Sequence, residues 1–149
     1  MEAREMMLLA SCMAGMAFNN SGLGITHSVA HSLGGLFHVP HGLANAVLLP
    51  WVIRFNSFHV GVKYREIAAI LDLPAATVEE GTTSLIQAVR QMNESMGIPN
   101  NIGSLKIDEH VFRQQLDVMA KNVLEDICTA GNPRRPSHED IKRLLEQAW

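Results

Sequence analysis

The sequence consists almost entirely of helix-forming segments separated by glycine, proline and asparagine stops, and alternating strand patterns are nearly absent. A half-buried strand alternates apolar and polar residues, whereas an amphipathic helix repeats its apolar residues every third or fourth position. With the β-branched residues dispersed, the pattern predicts an all-α, multi-helix bundle.

Glu2 to Phe18 is rich in Met, Ala and Leu and stops at Asn19-Asn20-Ser21-Gly22. A second helix is predicted from about Gly24 to Leu36, broken by Gly34-Gly35 and a loop ending in Pro40. A third opens at Pro40-His41-Gly42, where the missing proline N–H costs nothing, and runs toward Phe55. Pro50 inside it is expected to kink or divide it. Further helices are predicted at Lys63 to Leu71, Val78 to Met96, Asp108 to Asn122 and Ser137 to Ala148. The last has Ser137 as N-cap, with Asp140 three residues on as a weaker relative of the capping box.

No internal repeat or low-complexity linker divides the 149 residues, so one domain is expected, burying roughly two-thirds of its unfolded surface. The net charge of -3 and the scattered basic residues give no reason to expect nucleic acid. The apolar stretch Met6 to Phe18 is expected to be a helix and not a signal peptide, because Glu2 and Glu5 stand where a basic region belongs. No apolar run approaches the roughly 20 residues that cross a bilayer. Cys12 and Cys128, isolated and far apart, form no disulfide framework or thiolate knuckle, which points to a reducing, cytoplasmic setting.

Four of the seven histidines fall within 15 residues: His27, His31, His38 and His41. His27 and His31 are four apart and share one helix face, while His41 opens the next helix. Side chains so placed can converge on one point in a helical bundle. Imidazole suits Fe2+, Zn2+, Ni2+ or Cu2+ better than Mg2+ or Ca2+. The spacing alone fits ordinary hydrogen-bonded histidines more often than metal ligands. No acidic residue accompanies the pair, as the general base of a HExxH motif would. From the residues alone the site lacks a carboxylate, which argues against a metal-dependent hydrolase.

The stretch Gly24-Ile-Thr-His27-Ser-Val-Ala-His31-Ser-Leu-Gly34-Gly35-Leu-Phe-His38-Val-Pro40-His41-Gly42-Leu-Ala-Asn45-Ala46 resembles a signature of the iron-containing (group III) alcohol dehydrogenases. The resemblance continues through Leu48-Leu-Pro50 and Arg54-Phe-Asn56, and returns in Asp126-Ile-Cys128-Thr-Ala-Gly-Asn132-Pro133-Arg134 and Glu139-Asp140-Ile141. It implies the C-terminal helical domain of an NAD(P)-dependent enzyme that interconverts small alcohols and aldehydes at a divalent metal, Fe2+ before Zn2+. His27 and His41 match two metal ligands of the family. His31 matches a histidine close to the nicotinamide and substrate, implied to relay a proton or to position cofactor and substrate. Phe18 and Cys128 match residues that line the substrate pocket, against the plainer roles of core aromatic and buried small hydrophobe.

The family's ligand Asp and third ligand His have no match, and Asp72, Asp108, Asp117 and Asp126 stand in other contexts. The glycine-rich pyrophosphate loop of the dinucleotide domain is also unmatched, and Trp51 replaces a histidine common among relatives. The resemblance thus implies an enzyme portion, truncated relative to the family and catalytically silent alone. A face normally covered by the rest of the enzyme would favour homo-oligomers. The alternative is a non-catalytic helical module that binds metal or contacts other subunits. His38 receives no role and is expected in a loop.

Overall fold

The computed structural model describes residues 1–149. It contains seven α-helices: α1 (Glu2–Ser21), α2 (Ile25–Phe37), α3 (His41–Ile70), α4 (Val78–Ser95), α5 (Glu109–Gln114), α6 (Leu116–Glu125) and α7 (His138–Ala148). Two short 3-10 turns, Ile102–Leu105 and Ile127–Gly131, complete the fold, and no strand is present. No helix is long and apolar enough to cross a membrane.

The helices form where local signals and apolar spacing agree. Thr77 caps α4 by accepting the Glu80 N–H, and the Glu80 carboxylate reaches back to the Ala76 N–H. Ser137 and Asp140 make a complete capping box at α7. That helix buries Ile141, Leu144, Leu145 and Ala148, one stripe at helical spacing. The stripe meets Met119, Ala120 and Val123 of α6 and Ile25, Val29 and Leu33 of α2 in the main core. Phe112 and the terminal Trp149 stack at 4.3 Å between ring centres and close one end of it. A smaller cluster of Ile53, Ala68, Leu85 and Ile86 holds α3 against α4. These two helices cross so closely that a Cβ at Gly81 would lie 2.7 Å from the Arg65 Cα.

Two expectations about helix limits are corrected. Asp108 to Asn122 is two helices: α5 closes as the Gln115 N–H turns to the Val111 and Phe112 carbonyls, and α6 starts at once. Pro50 does not divide α3, which keeps helical dihedrals through it; the single irregular residue is Val60, at φ -127° and ψ 21°. Next to Val60, a Cβ at Gly61 would meet the Val78 side chain at 2.7 Å, so the irregularity sits where α3 crosses the start of α4.

Pro50 has no N–H for the carbonyl of Ala46, four residues earlier. Asn93 of α4 supplies the donor instead: its Nδ2 lies 2.9 Å from the Ala46 oxygen. Asn93 is only 3% exposed, so the proline is tolerated through a side chain from another helix rather than through a bend. The replacement Asn93→Ala is expected to cost about 1–3 kcal/mol, the penalty for an orphaned buried polar group. Adding Pro50→Ala should recover most of it by restoring the N–H. A double-mutant cycle by urea unfolding measures this coupling; strict additivity would refute the compensation.

Candidate metal centre

The apolar face of α2 buries Ile25, Val29, Ala30 and Leu33. His27 and His31 sit two positions out of register with that row and so project from the uncovered side. His27 is half-buried and His31 exposed. The helix ends at His38, which takes the left-handed conformation (φ 56°) and donates its N–H to the Gly34 carbonyl. Val39 and Pro40 then turn the chain so that His41, the first residue of α3, faces back toward α2.

The three rings meet. Ring centres are 5.1 Å apart for His27–His41 and for His31–His41, and 6.2 Å apart for His27–His31. One nitrogen from each lies within 4.8 Å of the other two. Burial lowers the pKa of His27, and the neighbouring His41 and His31 lower it further against an opposing pull from Asp126. The neutral ring favoured in this way has the free lone pair a cation needs. Asn45 braces His41: its amide donates to the His41 carbonyl at 2.9 Å and lies 3.1 Å from Nε2. The donor set therefore fits a divalent transition metal.

A carboxylate also adjoins the cluster, contrary to the sequence-based expectation. Asp126 caps the Ile127–Gly131 turn and places Oδ2 at 2.8 Å from Nδ1 of His31. Burial would raise its pKa, but hydrogen bonds from His31, the Cys128 N–H and Ser28 outweigh this and hold the carboxyl below its usual range. A cleft of about 350 Å³ lies beside the pair, lined by Ser28, His31, Ser32, Gly35, Asn122 and Asp126 among others. Cys128 stands at the edge of the cluster, its sulfur within 4.8 Å of ligand atoms of His31 and Asp126. Burial first, then Asp126, raises its thiol pKa, so the thiol stays protonated. Phe18 is exposed near the end of α1, a helix with no buried residue.

The turn that carries Asp126 is tied to α2 by a polar knot. α2 has no capping side chain of its own, and the Ile25 N–H bonds to Oδ1 of Asn132 at 3.3 Å. Asn132 and the buried Asn56 of α3 exchange amide hydrogen bonds of 3.0 and 2.8 Å. Arg134 continues the tie, stacking 3.9 Å over the Phe55 ring and pairing with Asp140 at 2.8 Å. Gly131 is required here, because a Cβ would collide with the Leu23 carbonyl oxygen.

All of these residues, 1–149, match the family model described as "Fe-containing alcohol dehydrogenase family, C-terminal". The chain belongs to the iron-containing alcohol dehydrogenases. Among these relatives, the NADPH-dependent butanol dehydrogenase of Clostridium saccharobutylicum is 43% identical over 145 residues, covering 97% of this chain and 37% of that protein. The lactaldehyde reductase of Escherichia coli K12 is 40% identical over 150 residues, covering 99% of this chain and 38% of that protein. A crystal structure of 1,3-propanediol oxidoreductase superposes with a TM-score of 0.91 at 37% identity, covering 99% of this chain and 38% of that one. The chain thus spans well under half the length of the curated relatives it matches.

Within the family frame, the fold brings together His27, His31, His41 and Cys128 and leaves Phe18 on an open helix face. Sequence reasoning missed Asp126, 95 residues from its partner His31. The only signal was its position at the head of the second family motif. Trp51 donates from Nε1 to the Asn100 carbonyl at 3.1 Å and lies under the Arg90 guanidinium. It thereby anchors α3 to the segment after α4. The replacement Asn132→Ala is expected to lower stability by about 1–3 kcal/mol, since Asn56 and the first turn of α2 both lose their partner. The His27 and His31 ring signals should broaden or shift as the α2 end frays. Unfolding curves and NMR spectra that match the parent protein would contradict the knot.

Proposed function

We propose that this chain is the metal-holding and substrate-facing part of an NAD(P)-dependent alcohol dehydrogenase acting on small alcohols and aldehydes. The observation that carries the reading is the convergence of His27, His31 and His41 on one point at the open side of α2. The named activities of the relatives, butanol oxidation and lactaldehyde reduction among them, support short-chain substrates.

His27 and His41 would hold the metal, Fe2+ in the first instance, with Zn2+ as the alternative. When bound, the metal supplies Lewis-acid polarisation of the alcohol oxygen, and NAD(P) accepts the hydride. The protein's own part is orientation and proton handling. His27, half-buried and neutral, anchors the site to α2. His41 ties it to the start of α3, so the two ligands are fixed by the packing of one helix pair. His31 faces the same point and receives the hydroxyl proton or positions cofactor and substrate. Cys128, with its thiol kept protonated, would form the neighbouring wall, and Phe18, exposed on α1, would join the substrate pocket in the full enzyme. The two remaining family ligands and the dinucleotide-binding loop have no match in these residues, so the chain alone should be inactive.

A fusion tests this. The chain replaces the matching segment of the E. coli lactaldehyde reductase, where it aligns over 150 residues. The fusion should reduce NAD or NADP with short primary alcohols, lose activity on chelation and regain it with Fe2+ or Zn2+. His27→Ala and His41→Ala should reduce it to background, and the unfused chain should show no alcohol-dependent turnover. A fusion that binds metal and nicotinamide cofactor without oxidising any short alcohol would refute the reading. So would turnover by the unfused chain.

A further inference from the structure

The most completely satisfied side chain beside the histidines is Asp126, to which the reading above gives no role. Both oxygens of Asp126 are engaged: Oδ2 with Nδ1 of His31 at 2.8 Å, and Oδ1 with the Ser28 hydroxyl at 3.1 Å and the Cys128 N–H at 2.8 Å. The Ser28 hydroxyl also lies 2.8 Å from the Thr129 hydroxyl, which in turn contacts the Val123 carbonyl. Two of these donors stand on α2 and one on the Ile127–Gly131 turn, so the carboxylate is held from both elements and cannot swing away alone. Its side chain is 18% exposed, against 44% for His31. The fixed member of the pair is the acid, and the ring is the member being held.

A carboxylate only accepts hydrogen bonds, so the proton in this contact sits on Nδ1 of His31. A neutral imidazole carries one proton, which leaves Nε2 as a bare acceptor. Pairing one ring nitrogen with a carboxylate to fix the tautomer and the ring plane is a general way to control what the other nitrogen presents.

We propose that Asp126 is a positioning residue that locks His31 as the Nδ1–H tautomer, so that Nε2 accepts the hydroxyl hydrogen bond of the bound alcohol. This rests on the dehydrogenase reading for the identity of the alcohol, but the tautomer lock stands on the hydrogen bonds alone. Without Asp126 the proton is free to occupy Nε2, and the ring then meets a substrate O–H with a donor instead of an acceptor. Ser28 and Thr129 take part as braces of the carboxylate.

Nitrogen-15 NMR of the 149-residue chain at a pH above the imidazole range reads the tautomer directly. His31 is expected to carry its proton on Nδ1, with Nε2 unprotonated. In Asp126→Ala a substantial share should move to Nε2, and in Ser28→Ala the Nδ1–H form should persist with a weaker hydrogen bond. A wild-type His31 protonated at Nε2, or a folded Asp126→Ala with its tautomer unchanged, overturns the proposal. If Asp126→Ala fails to fold, the wild-type and Ser28→Ala spectra decide it.

The fusion enzyme gives the functional arm. Asp126→Asn should lower kcat by about 10–100-fold, the usual range for losing such an outer partner, with metal content and the KM for cofactor unchanged. Asp126→Glu should recover part of the loss. A merely structural role would instead lower metal content or melting temperature and spare kcat. A fusion whose kcat is unchanged by Asp126→Asn refutes the positioning role while leaving the dehydrogenase reading intact. A fusion inactive even with Asp126 in place refutes the dehydrogenase reading, and the NMR result still decides the tautomer lock.

Discussion

α2 starts without a capping side chain of its own, and the acceptor for its first free N–H arrives from 107 residues away as Oδ1 of Asn132. An uncapped helix end inside a protein leaves buried donors without partners, so this bond is a condition on the whole fold. It requires the Ile127–Gly131 turn to lie against the α1–α2 connection, where Gly131 passes too close to Leu23 for any side chain. It also requires Asn56 of α3 to face the same point. Once these three segments are joined, the position of Asp126 beside His31 follows from the short distance along the turn. The convergence of the histidines and the carboxylate beside them is thus a consequence of how one helix is closed.

The same physics recurs elsewhere. Pro50 removes one backbone donor from α3, and Asn93 of α4 replaces it. Trp51, the next residue, hydrogen-bonds the Asn100 carbonyl beyond α4. In the first case a defect in local helix chemistry is satisfied by a long-range side chain, and in both a side-chain bond ties α3 to α4 or to the segment that follows it. This gives the bundle a defined geometry around the α2–α3 junction even though α1 buries nothing and contributes nothing to the core. The bonds that support the site are shared with the caps.

Much of this was legible in the chain. Helix-forming segments and their glycine and proline stops pointed to the all-α architecture, and the Ser137 to Asp140 cap marked the start of α7. His27, His31 and His41 were identifiable by spacing and by their motif. What escaped depends on distant partners. Pro50 reads as a break because nothing within its own helix tells that Asn93 stands across from Ala46. Asp126 read as irrelevant because its partner is 95 residues away, and spacing rules work only within an element. The break at Gln115 was missed for a different reason: helix propensity is continuous there, and the core contacts of Phe112 and Leu116 decide the geometry.

The central claim is that His27 and His41, and not the remaining histidines, present their lone pairs to one cation. Titrating the chain with Zn2+ while following the imidazole signals of all seven histidines by NMR tests it most directly. The account predicts that His27 and His41 shift together and saturate at one equivalent of bound metal, with His31 responding as a neighbour and His38, His59, His110 and His138 unmoved. Saturation at the exposed histidines with His27 and His41 unchanged would contradict it.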